Sequence, residues 1–287
     1  MSVSVARSSQ FLTLVLGMLV LAADAGADPV KSQPQPYDGP IFDAHVHYNR
    51  TSWDEFQVKD VIGNWNAAGV RRSLVSSTPD DGTLKLLDAA PDRVVPFFRP
   101  YITATTLGAW YKMPELVAYT KERLDRGLHV GLGEVHLVRP ENVETPTVRE
   151  HLRMAAARGL YIQPHSDAAV LEAILKAEPE IKVIWVHAGF HESAAAVGAM
   201  LDAHENVWAE LSLREKDIMD GDQLDPAWRD LLIRHADRFL VGTDTYIAER
   251  WHEYEALVAG QRVWLSLLPM DVTELIAHKN AERLFGP

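Results

Sequence analysis

Histidines and acidic residues recur in this sequence near the ends of short hydrophobic runs. The first run, residues 40–48, carries Asp43, His45 and His47 at alternate positions. Alternate side chains of a β-strand point the same way, so these residues are expected to share one face, with the histidines at the end of the strand. Two such imidazoles can bind a metal ion together, but a His-x-His pair alone is weak evidence, because ordinary strands also contain such pairs.

Four later runs end in residues of the same kinds, namely Glu134 with His136, His165, His187 and Asp244. Burying so many imidazoles and carboxylates together carries a large desolvation cost, which a divalent cation offsets. The chain has no cysteine, so any metal must be held by nitrogen and oxygen ligands. The combination predicts a divalent metal, with zinc as the first choice and manganese as the alternative.

Alternating strands and helices must bring these residues to one place. The predicted strands are 40–48, 72–77, 93–101, 128–137, 161–165, 182–187, 206–213 and 238–244. The helices are expected from near Ser52 and over 84–90, 114–127, 147–158, 168–177, 192–204, 226–236, 251–258 and 272–284. Eight strand–helix units over about 245 residues predict an α/β protein with a single-domain (β/α)8 TIM barrel, residues 40–287, whose active site lies at the carboxyl ends of the strands. The alternative is a doubly wound open sheet, which usually has fewer strands.

The first residues have a different composition. Arg7 precedes an apolar run, residues 11–23, which small residues follow. This pattern predicts a cleavable signal peptide, residues 1–27, and then a polar lead, residues 28–39. Thirteen residues rising about 1.5 Å each fall short of the roughly 30 Å hydrocarbon core, so we expect no stable membrane anchor. A secreted protein without cysteine suits the bacterial periplasm.

The charge of the chain narrows its partners. With 40 acidic and 28 basic residues the formal net charge is -12, so electrostatic attraction to nucleic acid is not expected. A small-molecule substrate is the remaining expectation, and the sequence makes no prediction of the oligomeric state.

Taken in order, these motifs resemble the amidohydrolase superfamily. The resemblance rests on Asp43-Ala-His45-Val-His47, Gly133-Glu134, Pro164-His165, Val186-His187-Ala-Gly189 and Gly242-Thr-Asp244. The segment from Asn280 to Gly286 resembles the closing helix of the amidohydrolase-related (amidohydrolase 2) branch, and the resemblance runs from about Pro40 to the end. The superfamily contains lactonases, other hydrolases and nonoxidative decarboxylases.

The resemblance implies roles for individual residues. His45, His47, His165 and Asp244 would bind metal, while His187 would bind a second metal or act on the substrate. Two arrangements remain open at Glu134. It could bridge two cations, one held by His45, His47 and Asp244 and the other by His165 and His187, or it could orient a histidine beside a single cation. One metal per chain is the favoured arrangement.

The favoured function is hydrolysis of a small ester, lactone or amide, in which metal-bound hydroxide attacks the carbonyl and Asp244 serves as general acid and base. His187 would polarise the carbonyl or stabilise the oxyanion. The alternative is metal-dependent nonoxidative decarboxylation of a small aromatic or unsaturated carboxylic acid. Deoxyribonuclease activity, also known in the superfamily, is disfavoured by the acidic charge, and nothing in the sequence motivates a non-catalytic binding protein.

Several other residues have weaker assignments. Arg99 and Arg214 follow strands and could hold a substrate carboxylate, although structural ion pairs explain them equally well. Asp43 is expected to support the metal ligands or to pack below them. Aromatic residues in predicted loops could form a substrate wall or pack those loops: Trp53, Trp110, Tyr111 and Tyr246. No role is predicted for His129 and His191. The histidines on predicted helices are expected at the surface, and they are His151, His204, His235, His252 and His278.

Overall fold

Eight parallel β-strands form the central sheet, and they pair in the order in which they follow along the chain. The computed structural model describes residues 35–287. Its sheet strands are β1 (Ile41–Val46), β2 (Val70–Val75), β3 (Val94–Phe98), β4 (Gly131–His136), β5 (Tyr161–His165), β6 (Lys182–Trp185), β7 (Val207–Glu210) and β10 (Phe239–Leu240). A small antiparallel hairpin, β8 (Met219–Asp220) and β9 (Gln223–Leu224), lies between β7 and β10 in the sequence.

The first and last strands of the sheet are joined to each other. The Ala44 N–H donates to the Val241 carbonyl at 2.8 Å, and the Asp244 N–H donates to the His45 carbonyl at 2.7 Å. The two edges of the sheet therefore meet, which is consistent with the predicted (β/α)8 barrel. A doubly wound open sheet would leave its edge strands apart.

Helices connect successive strands. They are α1 (Val58–Ala68), α2 (Asp81–Ala89), α3 (Glu115–Leu124), α4 (Pro140–Val143), α5 (Pro146–Ala157), α6 (Ala168–Ala177), α7 (Ala194–Ala203), α8 (Glu215–Ile218), α9 (Pro226–Arg234), α10 (Ala248–His252), α11 (Tyr254–Leu265), α12 (Met270–Glu274) and α13 (Asn280–Phe285). A π-helical segment, Leu275–Lys279, joins α12 to α13. Each strand of the sheet is thus followed by at least one helix.

Two sequence predictions about these elements need correction. The first helix begins at Val58 rather than near Ser52, because the Gln57 N–H donates to the Asp60 carboxylate at 2.9 Å and so fixes the start of the helix there. Ser52 is instead buried in a 3-10 turn. Six of the eight sheet strands are also shorter than predicted, whereas β5 has the predicted bounds and β2 has the predicted length but begins two residues earlier, at Val70.

The amino-terminal predictions fall mostly outside the described part of the chain. The signal peptide expected at residues 1–27 and most of the polar lead lie outside residues 35–287. Within residues 35–287, no helix has both the length and the apolar character needed to cross a bilayer. Residues 35–287 belong to one compact unit.

The amino-terminal end of the barrel is closed by one aromatic ring. Phe285 contacts Phe42 of β1, Phe97 of β3 and Tyr161 of β5, with ring centroids 6.0, 5.9 and 5.1 Å away. A side chain that contacts the first, third and fifth strands lies on the barrel axis. These residues belong to an apolar cluster that packs inside the strands, as barrel interiors do.

Asp43 connects β1, the segment after β10 and α11. Its Oδ1 accepts hydrogen bonds from the Thr243 N–H at 2.9 Å and the His45 N–H at 3.2 Å. Its Oδ2 accepts from the hydroxyls of Thr243 and Tyr254, both at 2.7 Å. Burial raises the pKa of Asp43 to about 6, because these hydrogen bonds only partly offset the loss of water. Through these hydrogen bonds Asp43 acts as a non-covalent cross-link that joins β1 to Thr243 and to α11, beneath the histidines at the end of β1.

We expect Asp43→Asn to destabilise the fold. The amide group of asparagine would place an NH₂ where one carboxylate oxygen of Asp43 now accepts hydrogen bonds, so donors would face a donor. The expected loss is about 1–3 kcal/mol in the free energy of unfolding, and Tyr254→Phe should lose about 1 kcal/mol. Urea unfolding of purified variants measures both changes. Asp230→Asn is the control, because Asp230 is exposed. An Asp43→Asn variant as stable as this control would contradict the cross-link.

Candidate active site

Two imidazoles face each other at the carboxyl end of β1. His45 donates from Nδ1 to Glu210 Oε2 at 2.9 Å, and His47 donates from Nδ1 to the Ser76 carbonyl at 2.5 Å. A carbonyl oxygen and an ionised carboxylate only accept, so both Nδ1 atoms carry a proton, and in the neutral rings both Nε2 atoms carry a lone pair. These Nε2 atoms are 3.0 Å apart. Such a pair needs a cation or a proton between its lone pairs.

The Asp244 carboxylate lies beside this pair. Its Oδ1 is 3.3 Å from His47 Nε2 and 3.6 Å from His45 Nε2, yet it is buried without a hydrogen-bond partner among residues 35–287. Burial raises the pKa of Asp244, but the imidazoles of His45 and His47 lower it more, so the net pKa is below its ordinary value. Asp244 is thus an ionised carboxylate with a free oxygen at the centre of the site.

Glu134 reaches the same place from β4. Its Oε1 accepts from His165 Nδ1 at 2.7 Å, its Oε2 accepts from the Arg99 guanidinium at 2.5 Å, and Oε2 is 3.3 Å from His47 Nε2. Burial raises the pKa of Glu134, but nearby positive groups, Arg99 among them, lower it well below its ordinary value. The structure therefore brings Glu134 together with the predicted metal ligands.

His187 presents a third Nε2 lone pair. Its Nδ1 donates to the Ser212 carbonyl at 2.9 Å, and its Nε2 is buried with no hydrogen-bond partner among the described residues. That Nε2 lies 3.8 Å from Asp244 Oδ2 and 4.0 Å from Glu134 Oε1. Burial lowers the pKa of His187, so the neutral ring accepts a proton and cannot donate one. The predicted role in polarising a carbonyl would thus require His187 to be protonated first.

Unusual backbone conformations concentrate around the site. The described non-glycine residues with positive φ are His187, Ala188, Phe190, Leu213 and Asp244. Left-handed backbone at such residues costs on the order of 1–3 kcal/mol each, and it persists only where the surrounding structure enforces it. Four of the five residues line the cavity described below, so the strain serves to aim side chains at that cavity.

The described donors fit a divalent cation. Three groups could bind a positive charge. They are the facing Nε2 atoms of His45 and His47, the free oxygen of Asp244 and the free Nε2 of His187. Burial lowers the pKa of His45, but the carboxylates of Asp244, Glu210 and Glu134 raise it more, to about 9. A pKa this high means that without a metal His45 keeps a proton on Nε2, which it can donate to His47. A divalent cation would take the place of that proton, and nitrogen and oxygen donors of this kind suit zinc.

Residues behind the histidines were missed by the sequence analysis. Glu210, at the end of β7, accepts from His45 Nδ1 at 2.9 Å, from the Ser212 hydroxyl at 2.9 Å and from the His187 N–H at 3.2 Å. Gly242 packs directly against this carboxylate, because a Cβ at that position would come within 2.3 Å of Glu210 Oε1. An acidic residue ending the seventh hydrophobic run was the available signal.

His136 also faces the site, with a fixed orientation. The buried Tyr101 hydroxyl accepts from the His136 N–H at 2.7 Å and donates to its Nδ1 at 3.3 Å. The His136 ring stacks on that of His165, with centroids 4.4 Å apart, and its Nε2 is 3.8 Å from Glu134 Oε1. Burial lowers the pKa of His136 to about 3, so this ring is neutral.

The two predicted arginines have different positions. Arg99 lines the cavity but is paired with Glu134. Arg214 is buried and donates to the carbonyls of His187 and Ala188, both at 2.9 Å, and to the Asp217 carboxylate at 2.7 Å. It is not among the residues that line the cavity. For Arg214, these contacts support the structural alternative, in which it holds the turn that carries His187.

The remaining sequence predictions divide in the same way. Tyr246 lines the cavity, whereas Trp110 is buried and donates to the His136 carbonyl at 2.8 Å. The expectation that His151 is at the surface is wrong, because its ring is buried between Thr120 and the Thr147 carbonyl. Trp53 and Tyr111 pack partly buried against the core, and His129 is buried against Asp80.

A cavity of about 650 Å³ opens above these groups. Glu134, His165, His187 and Asp244 contribute polar groups to its lining. Most of the rest of its wall comes from loops after β1, β2, β3, β6, β7 and β10, including Asn49, Arg50, Thr51, Thr78, Pro79, Ile102, Thr103, Ala104, Leu107, Phe190, Leu213, Tyr246 and Ile247. An apolar cavity with a few convergent polar groups is the usual form of a small-molecule site.

Solved structures share this fold. They include a putative 2-pyrone-4,6-dicarboxylic acid hydrolase from Pseudomonas putida (16% identity, 86% of this chain and 97% of that chain, TM-score 0.59) and YjjV, a TatD homologue from Escherichia coli (16% identity, 86% and 98%, TM-score 0.60). The 5-carboxyvanillate decarboxylase LigW from Sphingomonas paucimobilis is also similar (16% identity, 78% and 81%, TM-score 0.50). At these identities the likeness establishes the fold alone.

Sequence comparison identifies the family. No curated protein matches the chain significantly. The amidohydrolase family model matches residues 26–286, a range that contains every motif on which the resemblance was based. The chain therefore belongs to the amidohydrolase family.

Proposed function

We propose that this protein is a metal-dependent hydrolase of small esters, lactones or amides. The observation that carries the proposal is the convergence of the Nε2 atoms of His45 and His47 with the free oxygen of Asp244, a residue that lines an apolar cavity. Such a donor set suits a catalytic metal, which keeps a position open for water.

His45, His47 and Asp244 would hold the cation, with His165 as a further ligand. A histidine that donates one ring N–H to a carboxylate, as His165 does to Glu134, offers its other nitrogen to a metal. Zinc is the proposed ion, and when bound it would lower the pKa of a coordinated water towards about 7.

The chain's own groups then handle the proton. Asp244 takes a proton from the attacking water and returns it to the leaving group as the acyl bond breaks. His187 would donate a hydrogen bond to the oxyanion only as the imidazolium, with a proton taken up from solvent at Nε2 before the reaction and kept there throughout it. Both groups line the cavity, so the scissile bond would lie between them.

Hydrolysis is favoured over decarboxylation by the position of Arg99. A decarboxylase must hold the carboxylate of its substrate, and a free guanidinium is the natural partner for it. The buried guanidinium at this cavity is already paired with Glu134 at 2.5 Å, and the exposed Arg50, which has no such partner, lies at the rim of the cavity and not among the proposed metal ligands. Assays should nevertheless follow acid release and carbon dioxide separately.

Metal removal should abolish activity. We expect chelation to remove hydrolysis of an ester, lactone and amide panel, and zinc or manganese to restore it, because the facing lone pairs have no other described partner. Metal content is measured on the same samples before and after treatment. Full activity in metal-free protein would refute the proposed mechanism.

Asp244→Asn should remove the proton acceptor and leave the fold intact. We expect kcat to fall by at least about 10²-fold, the usual scale of general acid and base contributions. The exposed Asp230→Asn provides the matched control, and circular dichroism checks folding of both variants. A folded Asp244→Asn variant with unchanged kcat would remove Asp244 from the mechanism.

The number of metal ions depends on Glu134. Two oxygens flanked by histidines could bridge two cations, and the unpartnered Nε2 of His187 would suit a second ion. However, Arg99 already supplies a positive charge to Glu134 Oε2, and a second cation would lie beside that guanidinium. We therefore propose one cation per chain, with Glu134 positioning His165.

Metal stoichiometry tests this choice. We expect close to one tightly bound zinc per chain, and in Glu134→Gln a binding constant roughly tenfold to hundredfold weaker, because His165 loses the partner that orients it. The exposed Glu141→Gln is the control. Two tightly bound ions in the natural protein, reduced to one in Glu134→Gln, would show a bridging carboxylate and would make His187 a ligand.

A further inference from the structure

Large apolar side chains surround the mouth of the cavity. Ile102, Phe190, Tyr246 and Ile247 line it, and between 37% and 48% of each residue's surface is exposed. Leu107 continues the same wall. Single exposed apolar residues need no explanation, but several around one opening mark a surface that is covered by a ligand. We call these five residues the apolar wall.

The charged groups of the lining are few and mostly paired. Glu134 is matched by Arg99 at 2.5 Å, and Asp244 faces His45 and His47. Arg50 lines the cavity at its rim, with its guanidinium 5.2 Å from the centre of the Trp53 ring. Among residues 35–287 it has no carboxylate within 4.0 Å. The cavity thus offers one unpaired guanidinium for a ligand.

These two features define the ligand chemically. A carboxylate buried against an apolar wall would lose its water without compensation, so once the reacting acyl group faces the proposed cation, a ligand has a place for one further carboxylate only. A hydrophobic body, in contrast, gains free energy as it covers the wall. Ligand size is set by the cavity volume of about 650 Å³, which is in the range of small-molecule sites.

We infer that the substrate is an ester or lactone with a hydrophobic body, uncharged or carrying one carboxylate, whose body packs on the apolar wall and whose carboxylate, where present, is held by Arg50. The inference rests on the proposed function for the reacting group. Hydrolysis adds water across the acyl C–O bond, giving a carboxylic acid and an alcohol, and the alkyl or aryl body takes no part in the chemistry.

Binding of compounds that cannot be hydrolysed tests the wall independently of catalysis. Calorimetry on the metal-loaded protein with 2-methyl-, 2-pentyl- and 2-heptylcyclopentanone should show Kd falling about three- to fourfold for each added methylene that reaches the wall. Ile102→Ser and Ile247→Ser should flatten this trend. Val263→Ser, an exposed aliphatic residue on α11 outside the lining, should leave it unchanged. A flat trend in the natural protein overturns the inference.

The charge limit is tested with two cyclopentanones on the metal-loaded protein, so that the ring carbonyl, and not a carboxylate, faces the proposed cation. 7-(2-Oxocyclopentyl)heptanoate should bind at least tenfold more tightly than the analogue that carries a second carboxylate halfway along its chain, and Arg50→Gln should weaken binding of the heptanoate while the exposed Arg153→Gln does not. Tighter binding of the dicarboxylate, or no effect of Arg50→Gln, overturns this part.

Turnover separates this inference from the proposed function. With γ-lactones of increasing alkyl length, the ratio of kcat/KM for γ-decalactone to that for γ-butyrolactone should fall about tenfold in Ile102→Ser. Ketones that bind as expected, with no ester, lactone or amide hydrolysed, would refute the hydrolase and keep the ligand class. Hydrolysis whose kcat/KM does not depend on chain length would keep the hydrolase and refute the ligand class.

Discussion

The lone pairs of His45 and His47 face each other across 3.0 Å, and much of the surrounding structure exists to hold them there. Left to themselves the rings would turn apart, because nothing attractive joins two acceptors. Glu210 and the Ser76 carbonyl prevent this by accepting the Nδ1 protons. The two rings are therefore committed to presenting acceptors to the cavity, and a positive charge is what completes the arrangement.

The same constraint explains the turns around the site. Arg214 bonds the carbonyls of the turn that carries His187, and Asp244 is tied by its own N–H to the carbonyl of His45. Both His187 and Asp244 have left-handed backbone conformations. Strain of this kind is retained when a rigid scaffold holds functional side chains in place. The site is thus organised before any ligand arrives.

Sequence reasoning predicted the main features of the fold and much of the site. The site residues at the strand ends could be recognised, because strand alternation and barrel geometry bring such residues to the carboxyl-terminal mouth of the barrel. They are His45, His47, Glu134, His187 and Asp244. The partners of these residues could not be found in that way. Arg214 looks the same in sequence whether it binds a substrate or the carbonyls of a turn, and Glu210 gains its meaning only from a histidine 165 positions away. Ser52 likewise resembles a helix start, although Gln57 and Asp60 determine where α1 begins.

The ring of Phe285 has a consequence for how the barrel is made. It packs against Phe42, Phe97 and Tyr161 on the barrel axis, so the interior joins residues more than 240 positions apart in the sequence. Contacts of such separation form late and slow folding, because a long loop must close before they stabilise anything. In a growing chain that has not yet reached Phe285, the amino-terminal end of the barrel is open and its interior is incomplete. The barrel is therefore completed only after nearly all of its residues have been synthesised, and until then its strands depend on other protection from aggregation.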